Sequence, residues 1–124
     1  ALKWVLDNHK KYSIKILNLS ISADDINEEI EELIDLLISQ EIAVVASVGN
    51  DENACMKAPA SIEKVITVGG INDQNTLDNP LVTPYHSSYG YPKNFIQKPD
   101  IVAPAIWIAA PILPGTTESM EANA

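Results

Sequence analysis

The chain has no arginine and one cysteine, and no hydrophobic run of membrane-spanning length. Each absence excludes something. Without arginine, eight lysines face 17 acids and the formal net charge is −9. Nucleic acid and anionic membrane surfaces are bound through basic patches, so that balance speaks against both as partners. The single Cys55 rules out an intrachain disulfide and a cysteine-rich metal site, and leaves the compartment open. No apolar run approaches the ~18 residues of a membrane-spanning helix. Gly69-Gly70 is too short for a phosphate loop and no helix pattern follows it. No signal-peptide pattern is visible: Ala1 runs straight into helical spacing. The expectation is a piece of a longer protein, of one domain's size.

What is present is an alternation of helix and strand patterns. Leu2, Val5, Leu6 and His9 share one face of a helix over residues 1 to about 11, with Lys10-Lys11 suited to its C-terminus. Ile14 to Leu19 reads as a short strand. Asp24-Asp25 opens a second helix, in which Asp25 and Glu28 resemble a capping box. Ile26, Ile30, Leu33, Ile34 and Leu37 form its buried face, and Glu28, Glu29, Glu31, Glu32 and Asp35 its solvated side. Ile42–Val48 is a continuous apolar run, the pattern of a strand buried on both faces. A third strand spans Val65–Val68 and closes at Gly69-Gly70. Asn72 to Pro84 reads as loop, and Ile101–Ala103 and Ile106–Ala109 as short strands around Pro104. Strand, helix, strand with one short crossover implies a parallel βαβ unit.

The run Ala43–Val48 stops on Gly49-Asn50. In open α/β sheets the C-terminal strand ends carry the chemistry. An asparagine there is a neutral donor that can stabilise a developing oxyanion, although a Gly-Asn turn after a strand is also common in its own right. Asn18-Leu19-Ser20 matches a glycosylation sequon, but in a buried strand it is out of reach. His9 and His86 read as structural or packing residues, Asp100 as a hydrogen-bonded turn acid, and Cys55 as an inert loop thiol.

Several pieces come in a recognisable order. Ile16-Leu17-Asn18-Leu19-Ser20 precedes the acidic-faced helix, and Ala43 to Asn50 follows it. Then come Ala58-Pro59-Ala60, Val65-Ile66-Thr67-Val68-Gly69, Ser87-Ser88-Tyr89-Gly90 and Lys98-Pro99-Asp100-Ile101-Val102-Ala103-Pro104. Over roughly residues 1 to 110 this resembles the central part of a subtilisin-like serine protease. The resemblance implies an α/β fold, a three-layer sandwich with a mainly parallel sheet, present here as a partial domain over residues 1–124. It gives Asn50 the side-chain half of an oxyanion hole. Ser20, Ile21 and Ser22 lie where the family lays a peptide or protein substrate against a strand edge, and Ser47, Val48 and Gly49 on the opposite wall of the pocket. The chain departs from the family pattern at Ser22 and Ala105, where glycine is usual, and at His86, where an aromatic is usual.

The resemblance implies a serine endopeptidase working by Ser-His-Asp acyl transfer. The acid and histidine of that triad lie on segments before the part matched here, and the nucleophile follows in a Gly-Thr-Ser motif. Gly115-Thr116-Thr117 and Ser119-Met120 do not form that motif. The expectation is therefore a chain that is inactive alone and self-associates through sheet edges left open. Calcium is a cofactor the resemblance allows; Asp51-Glu52-Asn53 could ligate it, but nothing fixes a site. Two alternatives are a non-catalytic relative that kept the fold, and an unrelated α/β binding module in which Asn50 merely ends a strand.

Overall fold

The structure, a computed structural model, describes residues 1–23, 28–51, 56–76, 78, 81–91, 97–106, 108 and 111–117. The proposed helix start at Asp24-Asp25 and Ile26, Cys55, Glu52-Asn53 and Ser119 lie outside the described residues.

Helix α1 runs Leu2–Tyr12 and ends on Ser13 in the left-handed region (φ 54°), with His9 Nδ1 2.7 Å from the Leu6 carbonyl. Strand β1 is Ile16–Leu19, helix α2 Glu28–Ser39 and strand β2 Ala43–Ser47. The helical spacing read in α2 is the one observed: Ile34 and Leu37 are fully buried, while Glu28, Glu29, Glu32 and Asp35 are exposed. Strand β3 is Ile66–Asn72, β4 Thr83–Pro84 and β5 Ile101–Pro104. Together the strands form one five-stranded sheet. β1, β2, β3 and β5 pair in parallel, and β4 lies antiparallel to the end of β3. The crossover through α2 is the expected parallel βαβ unit. No helix among the described residues is long and apolar enough to cross a membrane.

Several expectations need correction, among them the loop read over Asn72 to Pro84, which ends in strand β4. β3 does not close at Gly69-Gly70 but continues through them to Asn72. The glycines mark close packing, not a strand end. A Cβ on Gly69 would lie 2.8 Å from both Pro99 Cγ and Ser87 Oγ, and one on Gly70 would lie 2.7 Å from the Tyr85 carbonyl oxygen. Of the pair of strands expected around Pro104, the first runs through the proline, because Pro104 still sits in register opposite Ile71 and the ladder ends with Ala105 N–H donating to the Ile71 carbonyl, while Trp107 and Ala109 of the second lie outside the described residues. Ile106 and Ile108 lie outside the ladder.

The sheet register sorts side chains onto two faces. Leu17, Leu19, Val44 and Ala46 turn toward the helices and pack with Leu2, Val5, Leu6, Ile34 and Leu37 in one core, closed by Ile62 and Val65. The other face presents Ile16, Asn18, Val45, Ser47, Ile66, Val68, Ile101 and Ala103, none of them charged. Ile16 is 66%, Ile66 40% and Ile101 55% exposed there. Asn18 is exposed as well, with its amide donating to Ser20 Oγ at 3.2 Å, so the expectation of a buried sequon is corrected. Among the described residues β1 is an edge strand of the sheet.

One charge is deeply buried. Lys98, 2% exposed, donates from Nζ to the Val65 carbonyl (2.8 Å), the Glu63 carbonyl (3.2 Å) and Asp100 Oδ2 (2.7 Å). Asp100 Oδ2 also accepts from the Thr67 backbone N–H and hydroxyl, each at 2.7 Å. Burial disfavours charge on this carboxyl, but the hydrogen bonds from Lys98 and Thr67 outweigh it and hold its pKa below the usual 3.8. Asp100 is thus the hydrogen-bonded acid expected.

In the intact protein, Lys98→Met is expected to lower stability by about 2–3 kcal/mol, because two carbonyls and a partly exposed carboxylate lose their donor. An unchanged urea midpoint would contradict this. A folded pKa below the unfolded one adds stability that is present above the unfolded value and lost as pH falls through the folded value. Asp100→Asn is therefore expected to flatten the decline in melting temperature on the acid side of pH 4.

Candidate active site

The C-terminal ends of β1 and β2 lie side by side, since Leu19 is in register with Ala46. Beyond them Ser20 leaves β1, and Ser47-Val48-Gly49-Asn50 leaves β2. A cleft of about 680 Å³ opens there, and Ser20, Ser47, Val48, Gly49 and Asn50 all line it. The far wall comes from Gly69 and Gly70 on β3, Tyr85 and His86, and Pro104-Ala105 at the end of β5. Ile21 and Ser22 are not part of this cleft. They line a separate apolar pocket of about 100 Å³ with Leu2, Ile30 and Pro59. The structure therefore brings together five of the seven candidate residues and sets two apart, next to the bridge in which Ala23 N–H donates to the Ala58 carbonyl.

Asn50 is exposed on the turn that follows β2, and its amide has no partner among the described residues. The turn itself is tightly held. Gly49 takes φ +109°, a conformation open to glycine and strained for other residues. Ser88 clamps the turn by direct hydrogen bonds. Its N–H donates to the Gly49 carbonyl at 3.1 Å, and its hydroxyl donates to the Asp51 carbonyl at 2.6 Å and accepts from the Asp51 N–H at 3.1 Å. The backbone on both sides of Asn50 is thus fixed while its side chain stays available. The Asn50 amide is a neutral donor at the cleft, carried on a fixed turn.

Ser87 does the same for the opposite wall by accepting from the Gly70 N–H at 3.1 Å. Ser87 and Ser88 are buried, and their role as clamps was not assigned from the sequence, although the Ser-Ser-x-Gly turn was the signal that could have shown it. His86, expected as a packing residue, is exposed and lines the cleft. Among the described residues no group of three His, Cys, Asp or Glu side chains could hold a metal ion.

The subtilase family model matches residues 1–122. The chain belongs to the subtilase family. The match removes the reading of an unrelated α/β binding module. Solved structures agree on the fold. A prenylagaramide maturation protease, PagA, is 27% identical with a TM-score of 0.62, over 83% of this chain and 36% of its own. Sphericase is 22% identical with a TM-score of 0.64 over the same shares. The S41 psychrophilic protease is 21% identical with a TM-score of 0.63, again over 83% of this chain and 36% of its own. The chain thus spans about a third of the structures it matches, and the fold is a subtilisin-like α/β fold present in part.

Gly49→Ala would place a Cβ 2.9 Å from Ser88 Oγ on a strained backbone. The variant is expected to lose about 1–3 kcal/mol. Gly90→Ala, with φ +144° but no atom within 4 Å of the new Cβ, carries strain without a clash and is expected to lose less. Thermal melts of the two variants compare the effects directly, and equal losses would count against the Ser88 contact.

Proposed function

We propose that this chain is the oxyanion-hole and substrate-binding portion of a subtilisin-like serine endopeptidase. The observation that carries the reading is the meeting of Asn50 with Ser20 and Ser47–Gly49 in one cleft at the C-terminal ends of parallel strands. In this role the Asn50 amide N–H donates to the oxygen of the tetrahedral intermediate, beside a backbone N–H at the nucleophile. An amide suits the task because it donates at any working pH without titrating.

Peptide substrate lies extended against the strand end Ser20–Ser22, in the manner of an added strand. Ser47–Gly49 form the opposite wall of the pocket for the residue before the scissile bond. Ile21 and Ser22 contribute through the neighbouring apolar pocket, which suits a substrate side chain further toward the N-terminus. Serine nucleophile, histidine base and orienting acid come from outside the matched motifs. The described residues place no Ser, His and Asp in triad contact. Calcium, which the family resemblance allows, is assigned no ligand here.

In the full-length protein, Asn50→Ala is expected to lower kcat by about 10²–10³ with little change in KM, a magnitude that belongs to the family's best-studied member and is carried over from it. Unchanged kcat would remove Asn50 from the oxyanion hole. A non-catalytic relative would show no hydrolysis before or after the substitution. The 124 residues by themselves are expected to be inactive on a chromogenic peptide and to sediment as dimers or larger species through the open sheet face and edge. Inhibitor-sensitive hydrolysis would overturn the first expectation, and a compact monomer the second.

A further inference from the structure

The direction in which a side chain leaves the backbone is set by two rotations, φ and ψ, which orient the peptide units before and after its Cα. For Asn50 those units are Gly49–Asn50 and Asn50–Asp51. One distant residue holds both. Ser88 N–H donates to the Gly49 carbonyl of the first unit at 3.1 Å, and the Ser88 hydroxyl accepts from the Asp51 N–H of the second at 3.1 Å. The same hydroxyl donates to the Asp51 carbonyl at 2.6 Å, so the peptide unit after these is held as well. A hydroxyl has one proton to give and lone pairs to receive. Ser88 uses both functions on a single residue 37 positions away.

The holding residue is itself anchored. Ser88 is 3% exposed. Its neighbour Ser87 accepts from Gly70 N–H at 3.1 Å, and Tyr85 N–H donates to the Gly70 carbonyl at 3.0 Å. The Asn50 turn is therefore tied through Ser88 to β3, and not only to the strand it leaves. Asn50 and Asp51 are both exposed, so water can reach the turn and satisfy its peptide groups. A buried hydroxyl spent on such groups adds geometry where solvation alone would suffice for hydrogen bonding. No bond of this set uses the Asn50 side chain, which lines the cleft.

On the protease reading of that cleft, we propose that Ser88 is a positioning residue of the oxyanion hole, acting through the two peptide units that flank Asn50. A donor stabilises developing charge most when it stands in place beforehand and needs no reordering during the reaction. A turn held at both peptide units meets that requirement. Ser88 touches no substrate in this role, so its loss changes the alignment of the Asn50 amide in the transition state more than the binding of the peptide.

The test uses the full-length protein, a chromogenic peptide and active-site titration with a serine-directed inhibitor, so that kcat is counted per competent site. Ser88→Ala keeps the backbone N–H on Gly49 and removes both bonds to Asp51. Its kcat is expected to fall about tenfold, part of the loss of the whole donor, with KM changed by less than about twofold. In an Asn50→Ala background the same substitution is expected to change kcat by less than about twofold, because no amide is left to position. Ser88→Cys keeps the shape with weaker hydrogen bonds and is expected to fall between serine and alanine. It serves in the same cycle if Ser88→Ala does not fold. Equal losses in the two backgrounds, or a lowered melting temperature with kcat per site unchanged, would overturn the proposal while leaving the protease reading standing. Unchanged kcat in Asn50→Ala would remove the oxyanion-hole role and this proposal with it. Absence of hydrolysis by the folded wild-type protein would overturn the protease reading and both roles together.

Discussion

Everything around the cleft depends on two adjacent residues of β3 that have no side chain. At Gly69 and Gly70 neighbouring segments approach so closely that a single Cβ on either would meet Pro99, Ser87 or the Tyr85 backbone below 3 Å. Both glycines lie within the β5 ladder, opposite Val102 and Ala103. The same proximity brings the Ser87-Ser88 turn against the sheet, where the two hydroxyls hold Gly70 on one side and Asp51 on the other. The Asn50 turn inherits its rigidity from this chain of contacts, and so does the segment that carries His86.

A second constraint fixes the same region from below. Lys98 and Asp100 straddle the cis Lys98-Pro99 peptide at the entrance to β5 and bind the backbone at Glu63, Val65 and Thr67. A buried ammonium is tolerated because all three of its protons have acceptors, one of them charged. The arrangement locks the start of β3 to the start of β5. Ring atoms of the intervening Pro99 are what a larger residue at Gly69 would strike. Close packing at the glycines and the buried ion pair are thus two parts of one junction.

The elements that were legible in the sequence are those set by local periodicity. The α2 face and the apolar run of β2 needed no distant partner to be read, and Gly49-Asn50 announced a strand end of chemical interest. What the sequence did not reveal depends on contacts between distant residues. The continuation of β3 through two glycines is explained by Tyr85, Ser87 and Pro99, at least 15 positions away. Lysine ordinarily marks surface, and Lys98 is buried because carbonyls 33 and 35 residues earlier receive it. The ordered motifs identified the region around Ser20–Ser22 as one unit, but the turn after Ser20 sends Ile21 and Ser22 to a different pocket. His86 follows a tyrosine and precedes two serines, a context that does not distinguish a packed ring from one facing a cleft.

The two faces of the sheet also differ in the order in which they can be completed. Among the described residues, the hydrophobic core on the helical side is drawn from Leu2 to Val65. Its strands and helices follow one another in the chain. During synthesis this half can assemble before residues beyond Val65 have been added. The uncharged face formed by Ile16, Ile66 and Ile101 has no such local partner among the described residues. The nascent chain would then present a sheet already structured on one side and adhesive on the other, the condition under which a chaperone or a prompt long-range partner decides between folding and aggregation.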